Sequence, residues 1–214
     1  MMSEVTIYVT AYDRQDMVNL NAEPLNEKVI IFDDYSPVPL KSRHEVVRAD
    51  RNHGKKQYWQ WVTVLLRRAQ QESGHVLITA DDITMKPGAI EYAVQQLESL
   101  PVPSMINLLN DGRPKCWNNI TRKPLNRHLY KAGFVDGCFI AHREAMDVVG
   151  WYINPILLSR WRGHNRLGSG VWQQFTYRAN SHGVGIYQLR QRWFMHGPHE
   201  SKMNPEERRR KKLL

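Results

Sequence analysis

The chain of 214 residues contains only two cysteines, Cys116 and Cys138. They form neither a disulfide framework nor a metal-ligand spacing, so free buried thiols in a reducing compartment are expected. No run approaches the roughly 18 consecutive apolar residues of a membrane-crossing helix. Met1-Met2-Ser3-Glu4 has neither the basic nor the apolar region of a signal peptide, and a cytoplasmic location is expected. Also missing are G-x-x-x-x-G-K-[ST], H-E-x-x-H, paired C-x-x-C and G-x-S-x-G. Their absence argues against a P-loop, a zinc protease, a zinc ribbon and an α/β-hydrolase. There is no internal repeat and no domain boundary marked by composition, so one domain is the default for this length.

Hydrophobic content of 42% with 24% charged residues is ordinary for a globular protein. The net charge of +9 is not evenly placed. Residues 160–214 hold twelve Lys/Arg against three Asp/Glu, and residues 1–159 hold eighteen of each. A basic C-terminal part suits a polyanion, nucleic acid foremost. For the run Arg208-Arg209-Arg210-Lys211-Lys212, a solubilising tail is the alternative.

Val5 to Thr10 and Lys28 to Phe32 are rich in β-branched and aromatic residues and predict strands. A short helix within 14–26 fits between them. Gln57 to Gln71 places Trp61, Val64, Leu65 and Ala69 on one helical stripe. His75 to Ala80 is a short apolar run that predicts a strand buried on both faces. A helix from Pro87 to about Leu100 follows, with Pro allowed at its first position. Strand alternating with helix predicts βαβ units and a parallel sheet. Further on, Met105 to Leu109 and Phe134 to Ala141, interrupted by Gly137, predict strands. His142 to Val149 and Ser169 to Ser181 predict helices. Residues 114–124 and 151–168 predict loops, and Asn204 onward has the charge order of a helix.

Three polar clusters fall at successive predicted strand ends: Thr10 to Arg14, Asp33 to Ser36, and Asp81-Asp82. If the strands are parallel neighbours, all three line one carboxyl edge, where α/β sheets bind ligands. Adjacent carboxylates raise each other's pKa unless a cation compensates them, and Mg²⁺ is typically held by one or two carboxylates plus phosphates. The alternatives are local: Asp82 capping the helix at Pro87, and Asp33-Asp34 forming an Asx turn. Tyr12 can stack on a base. Arg51, Lys55 and Lys56, with Gly54, precede a helix and suit a phosphate, or form a solvated basic loop. His196 beside the acidic pair suits Mn²⁺ as a third ligand, with a structural histidine as the alternative.

These segments together resemble a GT-A fold glycosyltransferase, close to the family 2 type. Thr10-x-Tyr12 resembles the loop that holds uridine, and Ile30-Ile31-Phe32-Asp33-Asp34-Tyr35-Ser36 is similar to the family's apolar strand followed by D-D-G-S. Arg51 to Lys56 resembles the segment before the second helix, and Ala80-Asp81-Asp82 falls where the D-x-D metal motif lies. The resemblance implies an α/β fold with a Rossmann-like nucleotide-binding half (1–100), an acceptor-binding half (101–203) and a basic tail (204–214). It implies that Asp34 contacts uracil, that Thr10, Tyr12, Arg14, Arg51, Lys55, Lys56 and Asp81 serve the nucleotide, and that Asp82 and His196 hold Mn²⁺ or Mg²⁺. The chain departs from the family twice. Ala80 replaces the first acid of D-x-D, and the acidic pair expected near Gly170 to Gln174, which supplies the inverting base, is missing. Asp136 or Asp111 serves instead, or the enzyme retains configuration and needs no base.

The implied reaction is glycosyl transfer from a nucleoside diphosphate sugar, with UDP-sugar favoured, to an acceptor hydroxyl. The basic C-terminal part favours DNA carrying hydroxymethylated pyrimidines, as some phages make, reached by flipping the base. A saccharide or protein acceptor stays open. From other classes, a nucleic-acid-binding module with an inactive nucleotide pocket and a metal-dependent nucleotidyltransferase are the alternatives.

Overall fold

The computed structural model describes residues 3–110, 123–155 and 170–197. Asp111, Cys116 and the basic segment 204–214 lie outside these, as do the side chains of Lys55 and Lys56 and most of the two predicted loops.

The chain opens with β1 (Val5–Ala11), α1 (Gln15–Asn21) and β2 (Lys28–Asp33), then β3 (Glu45–Arg48), α2 (Gly54–Gln70) and β4 (His75–Ala80). Next come β5 (Ile83–Met85), α3 (Ala89–Glu98), β6 (Ser104–Asn107), β7 (Lys123–Pro124), β8 (Leu129–Lys131) and β9 (Phe139–Ala141). Helices α4 (Arg143–Val149) and α5 (Val171–Ser181) precede β10 (Gly185–Leu189) and β11 (Phe194–His196). Nine strands form one mixed sheet in the order β3-β2-β1-β4-β9-β6-β10-β8-β7, and β11 pairs with β5 in a separate ladder.

The first four strands of that order run parallel, whereas β9 is antiparallel to both β4 and β6. The chain builds outward from β1 through β2 to β3, then returns to place β4 on β1's other side. The order therefore reverses between β1 and β4. In α/β sheets such a reversal marks the crevice at the carboxyl edge where ligands bind.

Side chains on successive strand residues point to opposite faces, and each face is closed by helices. Tyr8, Ile30, Phe32, Val76 and Ile78 join α2, α4 and α5 in one core cluster. Ile7, Val9, Val29, Ile31 and Leu77 join α1 and α3 in the other. Each large apolar side chain so buried stabilises the fold by roughly 1.5–3 kcal/mol. The central strands are apolar on both faces, as a strand covered twice must be.

Two expectations shift. The buried stripe of α2 is Trp61, Val62, Leu65, Leu66 and Ala69, while Val64 is 43% exposed. Val64 lies about 100° around the helix from Leu65, so a stripe centred on Leu65 and Leu66 turns it outward. The predicted strand at Phe134 to Ala141 shortens to Phe139–Ala141. A Cβ on Gly137 would sit 2.8 Å from Trp172 Nε1, so this position serves a close approach between segments rather than a ladder.

Candidate functional site

The carboxyl ends of β2, β1 and β4 lie side by side, and each delivers one of the polar clusters to the edge of the sheet. A cavity of about 70 Å³ there is lined by Thr10, Tyr12, Arg14, Asp34, Tyr58, Asp81 and Asp82 among others.

The two acids after β2 have separate tasks. Asp33 is fully buried; it accepts hydrogen bonds from Ser36 N (2.8 Å) and Oγ (2.5 Å) and pairs with Arg48 Nη1 at 2.6 Å. That closes the turn leading out of β2. Asp34 Oδ1 accepts from His53 N (2.9 Å) and lies 2.7 Å from His53 Nδ1, while Oδ2 accepts from Gly54 N (3.1 Å). Its charge meets the unsatisfied N–H groups at the start of α2. His53 stacks on Trp61 at 5.3 Å, which fixes the imidazole that Asp34 holds. Between these acids and Ser36, Tyr35 adopts φ +61°, a left-handed conformation that favours glycine. The guanidinium of Arg48 covers its exposed ring at 4.8 Å.

At the end of β4, Asp81 is buried and accepts from Tyr12 N at 3.3 Å. Burial pushes its carboxyl up to about 7; the neighbouring Arg14 opposes the shift and the Asp82 charge adds to it. Arg14 Nη1 lies 3.9 Å from Asp81 Oδ1 and 3.5 Å from Asp82 Oδ2. Asp82 does not cap α3: the helix begins later, behind Gly88, with no side-chain cap. The chain instead continues into β5, whose ladder with β11 sets His196 opposite Ile83. Gly197 N donates to Asp82 O at 2.7 Å, and His196 Nδ1 reaches to 3.9 Å from Asp82 Oδ1.

Two ligands of one cation can stand that far apart, so Asp82 and His196 fit a shared divalent ion, with Asp81 adjacent. Among the described residues no group of three or more His, Cys, Asp or Glu side chains is placed to hold a metal ion, so these two would be the protein's whole contribution.

On the far wall, the Tyr58 phenol hydrogen-bonds with Thr10 and Trp172. Burial pushes its pKa up to about 12, and the charges of Asp136 and Asp34 push the same way. Asp136 therefore stands near this wall; its N–H donates to Asn107 Oδ1 at 2.8 Å and its Oδ1 accepts from Gly137 N at 2.8 Å. Tyr58 and Trp172 were not legible as site residues: one reads as an ordinary helix aromatic, the other as core. Arg51 is exposed, with Nη2 3.3 Å from Gln60 Oε1.

At the start of α5, Gln174 is buried and doubly bonded to the Asn154 backbone. Oε1 accepts from Asn154 N and Nε2 donates to Asn154 O, each at 2.9 Å. This glutamine is a structural clamp. Two arginines of the basic C-terminal part are also engaged in the fold. Arg178 lies over the Tyr152 and Phe175 rings, and Arg190 lies over Tyr130. Cys138 is buried, and among the described residues no helix is long and apolar enough to cross a membrane.

No protein-family model matches the chain, and no curated protein matches it. Among solved structures, it is similar to a mannosyltransferase from Pyrobaculum calidifontis in complex with GDP-Man and Mn²⁺, with a TM-score of 0.54 and 16% identity. The match covers 87% of this chain and 57% of that one, so the chain spans little more than half the mannosyltransferase's length. At this identity the likeness is one of fold: the α/β, Rossmann-like architecture is of the GT-A kind.

Proposed function

We propose that the protein is a glycosyltransferase that moves a sugar from a nucleoside diphosphate sugar to an acceptor hydroxyl. One observation carries this reading. Thr10 and Tyr12, Asp34, and the Asp81-Asp82 pair with His196 gather at the strand-order reversal of a GT-A sheet. The likeness to a mannosyltransferase whose structure holds GDP-Man and Mn²⁺ supports it.

In this reading Asp82 and His196 hold Mn²⁺ or Mg²⁺, and Asp81 stands beside them. When bound, the ion offsets charge developing on the departing diphosphate. Thr10 and Tyr12 bracket the nucleoside, and Asp34 approaches its base while anchoring His53 and the start of α2. A UDP-sugar is the proposed donor. Arg51, Lys55 and Lys56 are the proposed partners of the phosphates. Asp136 or Asp111 is the proposed base for the acceptor hydroxyl, since the acidic pair that the resemblance implies near Gly170 to Gln174 is missing; Asp136 is favoured because it stands near Tyr58 on the cavity wall. The cavity of about 70 Å³ is far below the ~300 Å³ of a typical small-molecule pocket. A nucleotide must therefore lie along its open rim, with wall side chains displaced.

The proposed acceptor is DNA carrying hydroxymethylated pyrimidines, supported by the charge excess of residues 160–214. Two experiments test the two levels. Calorimetric titration of UDP, GDP, CDP and ADP, with and without Mn²⁺, should show metal-dependent, base-selective binding; binding of none of them overturns the glycosyltransferase reading. Deleting residues 205–214 should weaken DNA binding and flatten its salt dependence by up to about 0.9 in slope per lost phosphate contact. An unchanged slope returns the segment to a solubilising role.

A further inference from the structure

We infer that Arg14 is an internal counter-cation for the Asp81-Asp82 pair, one that must withdraw before Asp82 and His196 can hold a divalent ion. The inference rests on the metal-dependent reading above and adds a residue that controls when the metal enters.

Arg14 is only 6% exposed, and arginine is rarely buried without an opposite charge. Its guanidinium reaches both acids, yet the distances of 3.5 and 3.9 Å exceed the roughly 2.7–2.9 Å of a charge-assisted hydrogen bond. The contact to Asp82 is thus one of charge rather than of a locked fork. The same Asp82 carboxylate faces Arg14 through Oδ2 and His196 through Oδ1. A cation seated between Asp82 and His196 would stand within a few ångströms of the guanidinium and be repelled by it. Arg14 also borders a groove of about 650 Å³ between α1 and residues 38–42. One side chain therefore stands between the small acidic cavity and the larger groove. Withdrawal would enlarge the cavity at the moment the metal and diphosphate arrive. Without nucleotide, the metal affinity of the wild-type chain should be weak.

The test titrates Mn²⁺ alone into the full chain and into Arg14→Gln, with free Mn²⁺ counted by its paramagnetic resonance signal. Arg14→Gln should bind Mn²⁺ at least about tenfold more tightly, since one repelling charge is gone. Without metal it should melt below wild type, and Mn²⁺ should close that gap. Arg14→Lys keeps the charge and should keep the weak affinity. Equal or weaker binding by Arg14→Gln overturns the inference while leaving the metal site intact. Mn²⁺ binding to neither protein, with or without UDP, overturns the metal reading and the inference with it. Should Arg14→Gln fail to fold, the wild-type chain labelled at arginine nitrogen still decides. The Arg14 Nε–H resonance should shift as Mg²⁺ is added, and a fixed signal at a Mg²⁺ level that raises the melting temperature overturns the proposal.

Discussion

His196 Nδ1 stands 3.9 Å from Asp82 Oδ1 although the two residues are far apart in the chain, because the short ladder of β11 on β5 pairs His196 with Ile83. Backbone register, rather than side-chain packing, aims the imidazole: His196 is 49% exposed on its side chain. Mn²⁺ at a hundredfold excess over its Kd should therefore stabilise the wild-type chain by about 2.7 kcal/mol. Asp82→Asn and His196→Ala should each lose most of that stabilisation while melting normally without metal. Thermal melts with and without Mn²⁺ check this, and a full metal response in Asp82→Asn removes Asp82 from the ligand set.

Asp34 carries two loads at once. Its carboxylate accepts the N–H groups of His53 and Gly54 and holds the His53 ring, so it secures the start of α2 from a loop after β2. Asp34→Ala should cost about 1–3 kcal/mol by loss of the helix cap and its charge. Asp34→Asn keeps an acceptor and should fold closer to wild type. If Asp34 also meets the base, the folded Asp34→Asn protein should bind UDP more weakly than wild type while its affinity for Mn²⁺ holds. Equal UDP affinity would confine Asp34 to its capping role.

What the sequence made legible divides along a physical line. Strands β1, β2 and β4 are buried on both faces, so their composition alone gives them away. The acids behind them were visible for the same reason, since charge directly after an apolar run has few places to be. Strands β5 and β11 are three residues each and exist because they pair with one another across the chain, which leaves no local periodicity. Edge strand β3 is half-buried and does not alternate, and β10 mixes Gly185 and Gln188 with apolar residues. The pairings within the site were equally hidden. Nothing in the local pattern of Asp34 shows that its partner is the start of α2. Tyr58 reaches Trp172 only because α2 and α5 cover the same face.

A pair of histidines away from the site predicts how stability follows pH. His75 and His142 pack at 5.3 Å between ring centroids, and His142 Nδ1 accepts the Ser104 N–H at 3.1 Å. Burial lowers the pKa of both, and in His142 the neighbouring His75 lowers it further. A depressed folded-state value means that the fold favours the neutral rings. Their contribution is fully present above the ordinary value of 6.5 and is lost as pH falls below it toward the folded values. The melting temperature should therefore drop between about pH 7.5 and about pH 5.5. His142→Asn keeps a helix cap and an acceptor for Ser104, and should show a shallower drop. A slope equal to wild type would locate the pH sensitivity elsewhere.

The last prediction concerns the missing acidic pair. Restoring an acid at position 174 looks, from the family pattern, like a repair. The geometry argues the opposite. Gln174 uses both ends of its amide on the Asn154 backbone, donating from Nε2 to the carbonyl and accepting the N–H at Oε1. In Gln174→Glu the donor becomes a carboxylate oxygen facing a carbonyl oxygen in a buried setting. Leaving that carbonyl unsatisfied costs about 1–3 kcal/mol, and more if the new acid ionises. The variant should melt well below wild type and gain no turnover, whereas Asp136→Asn should fold normally and lose turnover. A stable, more active Gln174→Glu would move the base to the start of α5 and release Asp136 from that role. The expected pattern instead makes α5 a wall that clamps the segment at Asn154 and leaves acceptor chemistry to the strand-side acid.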